Sequence, residues 1–277
     1  MAVRTWAGND ATTPYDWSVA ANWAEGAVPV STDEVVIPAG SQKITAGLNQ
    51  SAVTLAGITV EAGYDKDIGS STGELRVALS APASIQTSGG QQFFDFGASN
   101  VNIEVLGSGG ASTGQRAVNF IGSNLATVSV VGGSVGIATA PANSATVATL
   151  RVLGGNVWIG DNTTLTTVNL YNGTLLQQCG STTTTVYGGQ LTTKGSGTVG
   201  TFNIYSGVAT LSSTGTITTL NGYGGELDFG GSGLARTVTT LNANATDPLI
   251  ISFDPNVVTI TTLNDPSTPQ TVRYEAS

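Results

Sequence analysis

The sequence predicts an all-β fold, a single-chain β-solenoid (β-helix), and three observations lead there. Six glycines, Gly133, Gly155, Gly173, Gly189, Gly207 and Gly225, follow one another at intervals of 22, 18, 16, 18 and 18 residues, each inside the same apolar pattern. The segments between them are rich in Val, Thr, Gly and Asn, which suit a pleated sheet better than a helix. The period of about 18 residues is also too short for the paired helices of ankyrin or tetratricopeptide repeats, which need roughly 33 to 34.

Five places per coil define the pattern. Eight before the glycine stand Leu125, Val147, Leu165, Ser181, Val199 and Ile217, and five before it Val128, Leu150, Val168, Thr184, Phe202 and Leu220. Three before it come Val130, Val152, Leu170, Val186, Ile204 and Gly222. Two after it come Val135, Val157, Leu175, Leu191, Ala209 and Leu227, and four after it Ile137, Ile159, Gln177, Thr193, Leu211 and Phe229. Twenty-five of these thirty positions are apolar. Spacings of two on each side of the glycine put each pair on one face of a strand. The glycine is the corner, because it takes positive φ without a Cβ penalty. One coil alone has nothing to bury its apolar face against, so copies must stack. Each then buries about five aliphatic groups at roughly 1.5–3 kcal/mol apiece, before conformational entropy is subtracted.

Residues 1–50 do not fit the repeat and are expected to form an N-terminal cap. They hold three of the four tryptophans, Trp6, Trp17 and Trp23, then the strand-like Glu34-Val35-Val36-Ile37 closed by Pro38. A cap is needed because an end coil would expose its apolar interior and a row of unpaired backbone groups. Core packing is the expected role of the tryptophans, with carbohydrate stacking as the functional alternative. The solenoid itself is assigned to 51–245. Leu55, Ile58, Val60 and Gly63 open it, and Leu75 with Val77, then Ile103 with Val105, mark further coils. Gln91 to Phe96 and Gly107 to Gly114 break the spacing and predict loops or wider coils. After Gly225 the pattern returns weakly at Val238, Leu241 and Ala243. The tail, 246–277, carries Asp247-Pro248, Asp254-Pro255 and Asp265-Pro266 around Leu249 to Phe253 and Val257 to Leu263. Proline lacks an amide donor, so these segments read as edge or peripheral strands that cap the far end or pair with a neighbouring chain.

The 277 residues are 40% apolar and only 10% charged, with a net charge of −9. Nine Lys and Arg spread along the chain give no basic groove, which argues against nucleic acid. No apolar run is long enough to span a membrane as a helix, and no hydrophobic leader follows Met1. An exterior-type composition without a leader fits a virion protein made in the host cytoplasm and released by lysis, and the unbroken run from Met1 to Ser277 favours a full-length chain over a fragment. The single cysteine, Cys179, leaves no intrachain disulfide and is expected to be a small residue at a coil corner. With no histidine in the chain, Ser-His-Asp and Cys-His catalysis and histidine-liganded zinc are excluded.

The motifs that could carry chemistry have plain readings. Gly195-Ser-Gly197-Thr-Val-Gly200 matches a dinucleotide fingerprint, but that loop works only ahead of a helix, and none is predicted. Gly154 to Asp161 loosely matches calcium-binding nonapeptide repeats, whose aspartate must recur in successive coils; here it does not. Glu226 and Asp228 should point outward on one strand about 6–7 Å apart, between the retaining and inverting glycosidase separations, and Asp65 with Asp67 makes a second such pair. Solvated surface pairs are the expected outcome, since a working glycosidase would also need stacking aromatics and basic residues. The sequons at Asn49, Asn162, Asn172 and Asn244 follow from composition and suit outward polar ladders at coil corners. No catalytic, cofactor-binding or metal-binding residue is assigned, and no cofactor is expected.

The opening Trp6-Ala-Gly8, Ala21-Asn22-Trp23, Gly26-Ala-Val-Pro29 and Asp33-Glu-Val-Val-Ile37-Pro38, extended by Leu55 to Gly63 and Asp67-Ile68-Gly69, resembles an entry segment ahead of β-solenoid repeats in bacterial exterior proteins and tailed-phage virion proteins. Among phage proteins the chain looks most like a head decoration (cement) protein. The resemblance covers about the first 70 residues. It implies binding to capsid or tail and assembly as a homotrimer. With a rigid stack, no catalytic set, no export signal and a proline-broken tail, the expected role is a non-enzymatic structural protein on the capsid exterior that binds the major capsid protein and neighbouring copies. A tail spike, an exterior glycan-binding or glycan-cleaving protein, and a bacterial adhesin fragment are the alternatives.

Overall fold

A computed structural model describes residues 1–109, 116–230, 233–265 and 272–276. The fold is a parallel β-solenoid of about 11 turns. Its coils are about 21 residues apart, longer than the 18 expected. Two compact units divide the chain, Met1–Ala148 and Thr149–Ser277.

The first unit holds β1 (Val3–Thr5), the 3-10 turn Ala20–Asn22, β2 (Glu34–Ile37), β3 (Asn49–Leu55), β4 (Gly57–Tyr64), β5 (Leu75–Leu79), β6 (Ala83–Thr87), β7 (Gln92–Asp95), β8 (Asn102–Gly107), β9 (Val118–Val130) and β10 (Ser134–Ile137). Val35 partners Ile58, which partners Ala83, then Ile103, then Val128, in steps of 23, 25, 20 and 25 residues. All five are buried, so the register column and the core column are the same residues. These wide steps account for the difference in period: the six glycines sample the shorter coils. On a second sheet Leu75, Phe94 and Phe120 stack likewise, and Gln92 to Asp95 forms strand β7 rather than a loop. Of the irregular Gly107 to Gly114 stretch, residues 110–114 lie outside the described residues.

The parallel ladder already starts inside the expected cap, where β1 pairs with β2 and β2 with β4. Above it sits a tryptophan cluster. Trp6, Trp17 and Trp23 are 0%, 1% and 2% exposed, with ring centroids 4.6–6.4 Å apart, so no ring face is open to a ligand. The Trp6 indole donates to the Gln42 carbonyl at 2.7 Å and the Trp23 indole to the Trp17 carbonyl at 2.9 Å, which satisfies both buried N–H groups. Buried Asn22 ties the loops together, donating to the carbonyls of Thr13 and Asp16 and accepting from the Asp10 amide.

Asp33 fixes the chain start. It accepts from Arg4 at 2.9 Å and from the amides of Ala2 and Val30. The Arg4 guanidinium, with those two amides, holds its carboxyl below the usual carboxylate range. A folded-state value below the unfolded one means the unfolded chain takes the proton first, so stability is complete above the unfolded value and drains away as pH falls through the folded one. Asp33→Asn is therefore expected to lower stability at neutral pH and to shrink its loss on acidification, as measured by urea unfolding across the acid range.

The second unit follows β11 (Ala145–Val152) at the junction and contains β12 (Asn156–Ile159), β13 (Thr163–Leu170), β14 (Thr174–Gln177), β15 (Ser181–Val186), β16 (Gln190–Thr193), β17 (Val199–Ile204), β18 (Val208–Leu211), β19 (Ile217–Gly222), β20 (Gly225–Asp228), β21 (Arg236–Ala243), β22 (Leu249–Phe253), β23 (Val258–Asn264) and β24 (Val272–Ala276). Even-numbered strands from β12 to β24 form one parallel ladder and odd-numbered strands from β13 to β23 the other. The tail thus winds on in register through 246–264: β22 lies between β20 and β24 rather than at an edge, while β23 and β24 end the two described ladders. Proline does not prevent this because Pro248 and Pro255 sit in the turns before their strands, where no ladder donor is needed. Pro266 and the reading placed on it lie outside the described residues.

Corners at Gly173, Gly189, Gly207 and Gly225 all have φ between +78° and +87°. A second constraint is close approach. A Cβ on Gly207 would lie 2.5 Å from the Gly189 carbonyl oxygen, which accepts a hydrogen bond from the Val208 amide. The same contact recurs one coil on, between Gly225 and Gly207. Three of the five non-apolar repeat positions meet each other inside: Gln177, Ser181 and Thr184 form one buried hydrogen-bonded cluster. The fourth, Gly222, is small because Leu249 fills the space its side chain would take.

Candidate functional site

Alternation along the odd-numbered strands of the second unit turns three positions per coil outward, at six, four and two residues before the corner glycine. The first column is Thr167, Thr183, Thr201, Thr219, Thr240 and Thr262, each in register with the next. Beside it runs Asn169, Thr185, Asn203, Asn221, Asn242 and Asn264. The third is Tyr171, Tyr187, Tyr205 and Tyr223, stacked ring on ring at 4.8, 5.3 and 4.6 Å with planes within 9° of parallel.

The middle column is a hydrogen-bonded wire. Asn264 donates to Asn242 at 2.8 Å, Asn242 to Asn221 at 2.7 Å, Asn221 to Asn203 at 2.8 Å, and Asn203 to the Thr185 hydroxyl at 3.3 Å. Identical amides at the strand spacing always find the next coil's partner, so a slipped register would cost every bond at once. Each aromatic pair adds roughly 0.5–1.5 kcal/mol. Arg151 stands over the Tyr171 ring at 5.9 Å and closes that end of the stack. Tyr171, Tyr187 and Tyr205 remain 38–44% exposed. Their ring faces are spent on one another, so solvent meets ring edges and phenolic oxygens.

These columns were present in the sequence as Tyr two before four consecutive glycines, and a reading centred on inward apolar positions passes over them. The outward polar ladder expected of the sequons is built from other asparagines. Asn49, Asn162, Asn172 and Asn244 are exposed, but none belongs to the wire.

Glu226 and Asp228 flank buried Leu227 on the outer side of β20, and Asp228 accepts from the Gly230 amide at 2.6 Å as a turn acceptor. Asp65 pairs with exposed Lys66 at 3.0 Å, and Asp67 accepts from the Gln91 amide. Both lie after β4 rather than on a strand. Gly195 to Gly200 leads into strand β17, with no helix to hold a pyrophosphate. Gln177 partners Ile159 in the next coil, so continuing that register sets Cys179 opposite Asp161, where a shared calcium would need a second carboxylate. Among the described residues no three His, Cys, Asp or Glu come together in a metal-binding group, and no helix is long and apolar enough to cross a membrane.

Cys179 is buried, and burial pushes its thiol up to about 12, with Asp161 adding to the shift. Thiolate is the reactive form. A disulfide exchange reagent at mildly alkaline pH is therefore expected to label native Cys179 more than ~100-fold slower than the urea-unfolded chain; equal rates would place the thiol at the surface.

Comparison with protein-family models, curated proteins and solved structures returns no match, so a functional reading rests on this chain's own geometry.

Proposed function

We propose that this chain is a structural protein rather than an enzyme and, in its most specific form, a head decoration protein that binds the outside of a tailed-phage capsid and reinforces it. The observation that carries this reading is the way polar groups are spent. The outward amides bond to one another, the tyrosine rings stack on one another, and of the two carboxylate pairs Asp228 caps a turn, Asp67 accepts from an amide of another segment and Asp65 meets a surface lysine. Such an arrangement stiffens a stack and engages Asp65, Asp67 and Asp228 in structural contacts. The partners under this reading are the major capsid protein and neighbouring copies in a homotrimer, assembled in the host cytoplasm and carried on the virion exterior. The entry-segment resemblance supports it, with Asn22 and Asp33 of that segment organising the first coil.

Cryo-electron microscopy of the purified source particle tests the proposal. Copies seated on the outer capsid lattice are expected; a capsid with no density for this chain would end it.

A further inference from the structure

The Thr–Asn–Tyr face has a property that the structural reading does not use. In a chain of net charge −9, its three columns from Thr167 to Asn264 contain no Asp, Glu, Lys or Arg. Every polar group on it is a hydroxyl or a carboxamide, able both to donate and to accept. Within the wire each internal asparagine uses one N–H and one lone pair of its side chain, leaving a second N–H and a second lone pair for an outside partner. Next to the threonine column lies a groove open to solvent, lined by Thr163, Thr164, Thr182 and Thr198 and widened by Gly180 and Gly200, which have no side chains. The tyrosine edges supply an apolar border with phenolic oxygens.

We infer that this face binds a neutral linear polysaccharide lying along the stacking direction. Charge disfavours acidic polymers as the preferred ligand, because the three columns from Thr167 to Asn264 hold no cation and Arg151, at one end, stands over the Tyr171 ring. Size disfavours a rigid protein or a second copy: six rows at about 4.8 Å and five residues at about 3.3 Å across each row make roughly 500 Å², against the ~800 Å² per partner that a stable protein interface buries. A flexible polyol chain needs no such area. It meets the same hydroxyl, amide and ring edge at each coil and gains affinity by repetition. This inference does not depend on the capsid reading, since it rests on the three columns alone.

The test is affinity electrophoresis of the whole chain through gels containing a neutral glucan, a neutral galactomannan, or an acidic polymer such as alginate. Retardation by at least one neutral polymer and none by alginate is expected. Tyr187→Ala with Tyr205→Ala should weaken binding at least ~10-fold. Tyr205→Phe, which keeps the stack and removes one hydroxyl, should weaken it by about 2- to 10-fold, the worth of one hydrogen bond. Circular dichroism separates lost binding from lost fold, and Glu226→Gln, on the other ladder, should bind as the parent does. Three results would overturn the inference: no retardation by either neutral polymer, retardation by alginate alone, or neutral-polymer binding that survives the double substitution in a folded chain. Self-association abolished by that substitution would assign the face to a second copy and would also overturn it.

Discussion

Replacing Trp23 by alanine is expected to cost about 3–5 kcal/mol of stability. The side chain is 2% exposed, packs edge-on against Trp6 and Trp17 at 5.2 and 4.6 Å, and donates its indole N–H to the Trp17 carbonyl. Truncation leaves a cavity that the two flanking rings cannot both close, and it orphans a buried carbonyl acceptor. Trp23→Phe, which keeps most of the packing, should cost clearly less. Native-state hydrogen exchange read strand by strand would show the loss concentrated in β1, β2 and β4, because repeat stacks transmit destabilisation mainly to neighbouring coils. If Trp23→Ala lowered stability by less than ~1 kcal/mol, the tryptophans would not be the core of the cap.

The second large effect belongs to a corner. Gly207→Ala combines a left-handed backbone at φ +85° with a Cβ 2.5 Å from the Gly189 oxygen, which also accepts the Val208 amide. Backbone strain alone is worth roughly 1–2 kcal/mol. Relieving the contact means separating two coils and losing that hydrogen bond, so a total of about 3 kcal/mol or more is expected. Gly26→Ala provides the comparison: its φ is +66°, but an added Cβ meets nothing within 4 Å, so only the strain of about 1 kcal/mol should appear. Equal losses at the two positions, measured by urea unfolding, would show that the corner glycines serve conformation alone and not coil approach.

Much of this fold is legible without coordinates because burial and register coincide. The apolar places at minus five and minus three, Val168 with Leu170 or Phe202 with Ile204, are the residues that pair coil to coil and fill the interior. The first unit is harder to read, since steps of 20 to 25 residues between Val35, Ile58, Ala83, Ile103 and Val128 hide the period among longer loops. The tail misleads for a different reason. Proline argues against a strand only when it falls within the ladder, and Pro248 and Pro255 fall in turns. The outward face was also written in the sequence, yet its meaning depends on neighbours. A single tyrosine two residues before a glycine is a surface residue, and four of them become a stack only when coils of 16 and 18 residues are laid in register.

Stacking in strict parallel register underlies both the structural role and the polysaccharide face, and distances between paired spin labels measure it directly. Cysteines placed in the threonine column at 183 and 240, 167 and 240, and 167 and 262 lie three, four and five coils apart, with buried Cys179 expected to stay unlabelled. The label separations should rise in equal steps of about 4.8 Å per coil. Separations that fail to grow from pair to pair would mean that the coils do not stack in this register, and the face built on them would not exist.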